Sequence, residues 1–182
     1  SELCLPCHDL TVRGIEAEIT FTEWNRIPGL AMSGALSCQE CHMPLKEDGT
    51  HDHRFVGVDI DLSHGIGQSP LYSAVQSMLE NAVDLQFGYF NYTLPDSIYS
   101  GDSLMVPVTI SSLTAHSLPS GTSFAREAWL EVVIIDQSYD TLFQSGVIYS
   151  HSSSLDETDP HLLLFTSYLI DENGQITNSV TN

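Results

Sequence analysis

The sequence contains Cys4-Leu5-Pro6-Cys7-His8 near its start and Cys38-Gln39-Glu40-Cys41-His42 further along. Both stretches have the pattern C-x-x-C-H, the attachment signature of c-type haem. In this motif the two thiols form thioether bonds to the haem vinyl groups, and the histidine that follows becomes the proximal ligand of the iron. One such match can arise by chance, but two are far less expected, and together they use all four cysteines of the chain.

The four cysteines also allow two other interpretations, a pair of disulfides or one zinc site with four thiolate ligands. The interval between Cys7 and Cys38 is longer than usual for a zinc ribbon, and a four-thiolate site has no role for the histidine after each pair. The sequence therefore favours two haem c groups. The predicted thioether residues are Cys4, Cys7, Cys38 and Cys41, and the predicted proximal ligands are His8 and His42.

Composition limits the partners of the chain. Of its 182 residues 42% are hydrophobic, so a packed core is possible, and 5 Lys and Arg against 24 Asp and Glu give a formal charge of −19. Such a surface repels nucleic acid and anionic lipid, so neither is expected as a partner. No apolar run of ~20 residues predicts a membrane span. Because haem is attached to C-x-x-C-H motifs outside the cytoplasm, we expect an exported protein at the cell surface or beyond it, with the periplasm as the alternative.

Hydrophobic patterning predicts an α+β protein in three segments. Residues 1-66 have poor periodicity and hold both haem motifs, so we expect short helices and irregular chain around two haems, which supply much of the core. Residues 67-84 predict a linking amphipathic helix that begins at Ser69, because apolar residues recur there at spacings of three and four. Residues 85-182 change to a period of two with turn-forming residues between short runs, which predicts a β-sandwich-like domain.

Each iron also needs a sixth ligand or an open position. Methionine thioethers compete for that place, although the spacing of Met78 on the predicted helix makes it a core residue first. The histidines left after the two proximal ligands are His51, His53, His64, His116, His151 and His161.

Further motifs follow the second C-x-x-C-H in a fixed order. They are Met43-Pro44, His53-Arg54-Phe55-Val56-Gly57, His116-Ser117-Leu118-Pro119-Ser120-Gly121 and Arg126-Glu127-Ala128-Trp129-Leu130-Glu131-Val132. With these motifs the chain, from Cys4 to about Gly174, resembles the multihaem c-type cytochromes of metal-reducing and related prokaryotes. The resemblance implies that His53 is the distal ligand of the first haem and His116 that of the second. Alternative distal candidates are His51, His64, His151 and His161.

The chain departs from that family in several places. Relatives often carry a Ser-Pro-His ligand near the position of Glu23-Trp24, which this chain lacks. Ser120 stands where relatives have threonine, and Ala115 precedes the histidine in place of glycine. Most relatives carry four or more haems rather than two, so a long electron path would need more than one subunit.

Two histidine ligands on one iron leave no position for a substrate, which favours an electron carrier over an enzyme. The potential should be low, because a methionine ligand would raise it. Some members of the family form extracellular filaments. We therefore expect electron transfer along a homo-polymeric cytochrome wire, in which haems stack between subunits, spare histidines could ligate a neighbour's iron, and redox proteins or an extracellular acceptor exchange electrons.

Other functions stay open at this point. A monomeric periplasmic or surface shuttle would carry the same motifs. The electron-input subunit of a small haem reductase would need an iron with one open face. An adhesive or scaffolding role for the β-domain would make no use of the haems.

Overall fold

The computed structural model describes residues 2–27, 37–57, 59–61, 63, 65, 67–88, 95, 97, 99, 101–150, 154–177 and 179. His64 and His151, two of the alternative ligand candidates, lie outside the described residues. Short helices and antiparallel strand pairs alternate along the described chain, so the predicted α+β class is confirmed. No helix in these ranges is both long enough and apolar enough to cross a membrane.

The first C-x-x-C-H motif leads into a hairpin that the sequence pattern did not predict. Helix α1 (Leu5–His8) is followed by strands β1 (Leu10–Val12) and β2 (Ile15–Glu18) and then by helix α2 (Thr20–Arg26). Arg13 and Gly14 form the connection with φ angles of 51° and 87°. Positive φ at both central residues is the requirement of a type I′ turn, whose twist matches that of paired strands. The strands are too short for a period of two to be recognised in sequence.

The second C-x-x-C-H motif forms its own short helix, α3 (Cys38–His42). Ser37 and Glu40 form a capping box: the Glu40 N–H donates to Ser37 Oγ at 3.3 Å, and the Ser37 N–H donates to Glu40 Oε2 at 2.6 Å. Hydrogen bonds from the Ser37 backbone and side chain lower the pKa of Glu40. This reciprocal cap satisfies two donors that the start of a helix leaves without intrahelical partners.

Helix α4 (Tyr72–Glu80) occupies the predicted linking segment but is shorter than predicted. Ser69 lies before the helix, where its hydroxyl accepts from the Leu71 N–H at 3.3 Å and its carbonyl accepts from the Tyr72 N–H at 2.9 Å. These bonds form a turn that precedes the helix, so the helix begins after Ser69 and not at it. Val75 is the buried residue of α4.

The later strands pair in twos among the described residues. The pairs are β3 (Val83–Phe87) with β4 (Val108–Ser112), β5 (Ala128–Leu130) with β8 (Leu163–Phe165), β6 (Val132–Ile135) with β7 (Thr141–Ser145), and β9 (Leu169–Ile170) with β10 (Ile176–Thr177). All four pairs are antiparallel. The stacking of two sheets into a sandwich stays a prediction.

The chain divides into two compact units. The first unit comprises residues 1–4 and 23–117, and the second comprises residues 5–22 and 118–182. The three segments predicted from composition and periodicity are a different division and stay a prediction.

The described residues bury few apolar side chains. Those that are buried are Ala17, Val56, Val75 and Ala82. No large side chain among the described residues is fully buried, whereas Phe87 is 73% exposed and Met105 is 79% exposed. The apolar side chains that are buried among the described residues are therefore few and small.

Candidate metal centre

His42 is held in one orientation by the backbone. Its Nδ1 lies 2.6 Å from the carbonyl oxygen of Val56, a buried residue. A carbonyl only accepts, so Nδ1 carries the proton and Nε2 carries the lone pair of the neutral imidazole. Histidines that bind metals are commonly fixed in this way by a bond from their other ring nitrogen. The ring of His42 is therefore prepared to ligate through Nε2.

His116 lies near His42, and the two rings are nearly parallel. Their ring centroids are 6.4 Å apart and their planes differ by 17°. Direct contact between rings would bring carbon atoms to about 3.5–4.0 Å. With metal–nitrogen bonds of about 2.0–2.1 Å, two imidazoles on opposite sides of one metal have centroids about 6.4 Å apart. The observed spacing matches that of two imidazoles on one metal, and it also lies in the range of offset-stacked rings.

The loop that carries His116 fixes that ring as well. Its Nδ1 lies 2.8 Å from the carbonyl oxygen of Ser117, so Nε2 is again the nitrogen with the lone pair. The Thr114 hydroxyl donates to the His116 carbonyl, and the Ser117 N–H donates to Glu23 Oε2 at 3.2 Å. These bonds tie the loop to itself and to α2. Both rings of the pair thus have the same tautomer.

His51 and His53 lie close to the second haem motif along the chain. Nδ1 of His51 is 2.7 Å from the Met43 carbonyl oxygen, and Nδ1 of His53 is 2.9 Å from the His51 carbonyl oxygen. Both side chains are exposed. In both rings Nδ1 carries the proton and Nε2 carries the lone pair, as in His42. The role of His53 as a ligand of the first haem stays a prediction.

An ion pair clamps the turn that holds these two histidines. Arg54 donates from Nε to Asp52 Oδ1 at 3.0 Å and from Nη2 to Asp52 Oδ2 at 2.6 Å, and the Asp52 N–H donates to the Pro44 carbonyl at 2.9 Å. Hydrogen bonds from the Arg54 side chain and backbone lower the pKa of Asp52 to about 2. Forked pairing of this kind fixes geometry as well as charge.

His8, the proximal histidine of the first motif, has a different neighbour. Its Nδ1 lies 3.7 Å from Oε1 of Glu18, whose side chain is only 14% exposed. The carboxylate, like a carbonyl, only accepts, so it favours the proton on Nδ1 and the lone pair on Nε2. Glu18 was missed in the sequence analysis. The strands that position it are too short to be recognised from the sequence pattern.

His161 has contacts of a structural kind. Its ring packs edge-to-face on Phe143 with centroids 5.3 Å apart, and its backbone N–H donates to Asp159 Oδ1 at 2.8 Å. It stays an alternative candidate.

The four cysteines are described, and none of them forms a disulfide. Burial and the neighbouring Glu40 carboxylate raise the pKa of the Cys41 thiol. Within the described ranges no three His, Cys, Asp or Glu side chains converge to hold a metal. His42 and His116 are two neighbouring imidazoles, and two is the number of ligands that a haem iron can take from the protein.

Comparison of the chain with protein-family models, curated proteins and solved structures finds no match.

Proposed function

We propose that the protein is an electron carrier that holds two c-type haems. Cys38 and Cys41 would bind the second haem covalently, with His42 and His116 on opposite faces of its iron. The observation that carries the proposal is the 6.4 Å separation of these two near-parallel rings, each with Nδ1 bonded to a backbone carbonyl. By the same motif, Cys4 and Cys7 would hold the first haem, with His8 as its proximal ligand.

The residues around the pair are suited to electron transfer without proton transfer. When bound, the haem supplies an iron that changes between the ferric and ferrous states. The carbonyls of Val56 and Ser117 keep both imidazoles in one tautomer and one orientation. Two protein ligands leave no open coordination position, which favours a carrier over an enzyme. The absence of methionine from the proposed ligand pair, together with a net charge of −19, favours a low potential.

The small apolar core also supports bound haem. Phe87 and Met105 are largely exposed in the described chain, and few apolar residues are buried. Large planar cofactors contribute the apolar area that such a chain lacks. We extend the proposal to the dihaem region of residues 1-66, to His53 as distal ligand of the first haem, and to a β-sandwich-like arrangement of residues 85-182.

We further propose that copies of the chain assemble into an extracellular wire. The β3–β4 pair places Leu85 opposite Ile110 and Phe87 opposite Val108, and all four side chains are exposed. Strand pairs that expose apolar side chains and unpaired edges are common sites of association between chains. Imaging of the haem-loaded protein at high concentration tests this step. Long fibres with haem absorbance would support it, and single particles of uniform small size would refute it.

The proposed function is tested on protein that is exported from the cytoplasm during expression, where haem can be attached. Covalent haem remains with the polypeptide after denaturation and acid-acetone extraction, and mass spectrometry should find the mass of two haems. The oxidised and reduced spectra should be low spin throughout, and carbon monoxide should not bind the reduced protein. High-spin bands or binding of carbon monoxide would favour a reductase, and a colourless extracted protein would refute the proposal.

A further inference from the structure

The two predicted proximal histidines differ in the charge of the group beside Nδ1, which is neutral for His42 and negative for His8. Nδ1 of His42 lies 2.6 Å from the neutral carbonyl of Val56, whereas Nδ1 of His8 lies 3.7 Å from the carboxylate oxygen of Glu18. A negatively charged partner increases the basicity of a ligating imidazole more than a neutral carbonyl does. The same five-residue motif therefore presents two ligands of different strength.

Glu18 is held toward His8 by its own strand and by α2. Leu10 pairs with Glu18 and Thr11 with Glu16, so Ala17 is an extra residue in β2. A bulge of this kind changes the direction of the side chain that follows. The Thr20 N–H then donates to Oε1 of Glu18 at 3.1 Å. The oxygen that faces His8 is thus fixed by a backbone bond.

Pro119-Ser120-Gly121, the end of the motif that starts at His116, lies on the other side of the Glu18 carboxylate. A Cβ at Gly121 would lie 2.7 Å from Oε2 of Glu18, and Gly121 has a φ of +76°. Ser120 and Thr20 share a hydrogen bond of 2.7 Å between their hydroxyls. Only glycine combines this backbone conformation with room for the carboxylate. This part of the motif therefore serves to place Glu18.

We propose that Glu18 is a positioning residue for His8 and that it lowers the potential of the first haem below that of the second. The inference rests on the proposed function, in which His8 and His42 ligate two irons. Negative charge beside His8 stabilises the ferric state of the first haem. Electrons would then leave the first haem for the second more readily than they return.

The experiment is an optical redox titration of the haem-loaded full chain and of two variants. Glu18→Gln removes the charge beside His8, and Glu16→Gln removes the same charge from an exposed position on the same strand. For Glu18→Gln we expect the equilibrium constant for reduction of one haem to rise about tenfold, which is about 59 mV for one electron. The other haem and the Glu16→Gln variant should keep their potentials.

Assignment of the two waves uses His116→Met, because a methionine ligand raises the potential of the haem that it binds. Glu18→Gln should shift the potential of one haem, and that haem should be the one whose potential is unchanged in His116→Met. Electron paramagnetic resonance should show a matching change at one low-spin centre. If Glu18→Gln does not fold, Gly121→Ala displaces the carboxylate while keeping the charge, and we expect a shift in the same direction.

The outcomes separate the two proposals. Wild-type protein without two low-spin haems would refute the proposed function. Two low-spin haems whose potentials respond equally to Glu18→Gln and Glu16→Gln would leave the function intact and overturn the role of Glu18. A shift of the second haem's wave by Glu18→Gln would also overturn it.

Discussion

The two C-x-x-C-H regions have the same chemistry in sequence and different surroundings in the structure. In the second region His42 is bonded to a backbone carbonyl, and its ring centroid lies 6.4 Å from that of His116. In the first region the proximal His8 lies beside a carboxylate that a strand bulge and a glycine place there. On the proposed function, the motif would decide where a haem is attached, and residues outside it would decide how its histidine ligand behaves.

The contrast also concerns charge and its purpose. A carbonyl partner fixes the orientation of an imidazole and adds no net charge to the site. A carboxylate partner also fixes the orientation, and it adds a negative charge. Two haems of equal potential would share an electron evenly, and unequal potentials give it a preferred direction. The difference between Glu18 and the Val56 carbonyl is therefore a functional difference on the proposed assignment.

The largest effect expected is the loss of one haem when one motif is removed. Replacing Cys38 and Cys41 together by alanine should lower the mass of the loaded protein by one haem and leave the first haem attached. Replacing Cys4 and Cys7 is the matched control, and it should remove the other haem. Intact-mass spectrometry of both double variants checks this. Unchanged mass in either variant would contradict covalent attachment at that motif.

The next effect concerns the neighbouring rings of His42 and His116. His116→Ala should convert one of the two haems from low spin to high spin, because it removes a ligand from one face of the iron. The reduced variant should then bind carbon monoxide at one haem. His161→Ala is the control, since that ring packs on Phe143, and its spectrum should match the wild type. A low-spin spectrum in His116→Ala would show that another residue ligates the second iron.

The sequence pattern was sufficient to predict the α+β class, which the structure confirms. The C-x-x-C-H spacing predicts Cys38, Cys41 and His42 as site residues because the motif is local, and this stays a prediction. The partners of the ring nitrogens could not be predicted. A backbone carbonyl such as that of Val56 leaves no mark in a residue pattern, and the approach of Glu18 to Gly121 depends on tertiary structure. Helix α4 begins later than predicted because the Ser69 hydroxyl stabilises a turn before the helix.

A smaller effect is expected from the clamp beside the second region. Asp52→Asn should lower the Tm at pH 5, because the charged pair with Arg54 is lost. The folded-state pKa of Asp52 is lowered from 3.8 to about 2, so its contribution is present above the ordinary value and is lost as pH falls through about 2. The Tm difference between wild type and variant should therefore shrink between pH 5 and pH 2. Thermal unfolding followed by circular dichroism measures it.

Glu47→Gln, which removes the same charge from an exposed residue of the same loop, is the control for Asp52→Asn. Its Tm difference from the wild type should be small at pH 5 and at pH 2. An Asp52→Asn variant as stable as Glu47→Gln at pH 5 would mean that the clamp does not stabilise the turn that carries His51 and His53.

The smallest effect is expected at the start of α3. Ser37→Ala removes the hydroxyl that caps the helix of the second motif and should lower the free energy of unfolding by about 0.5–1 kcal/mol, the lower part of the range for N-cap losses. The loss is small because the thioether bonds would hold Cys38 and Cys41 in place even when the first turn frays. Ser37→Thr keeps the cap and should unfold at the wild-type urea concentration. If Ser37→Ala changed the spin state of a haem as well as the stability, the cap would be acting on the orientation of His42, and the two motif regions would differ in helix stability in addition to charge.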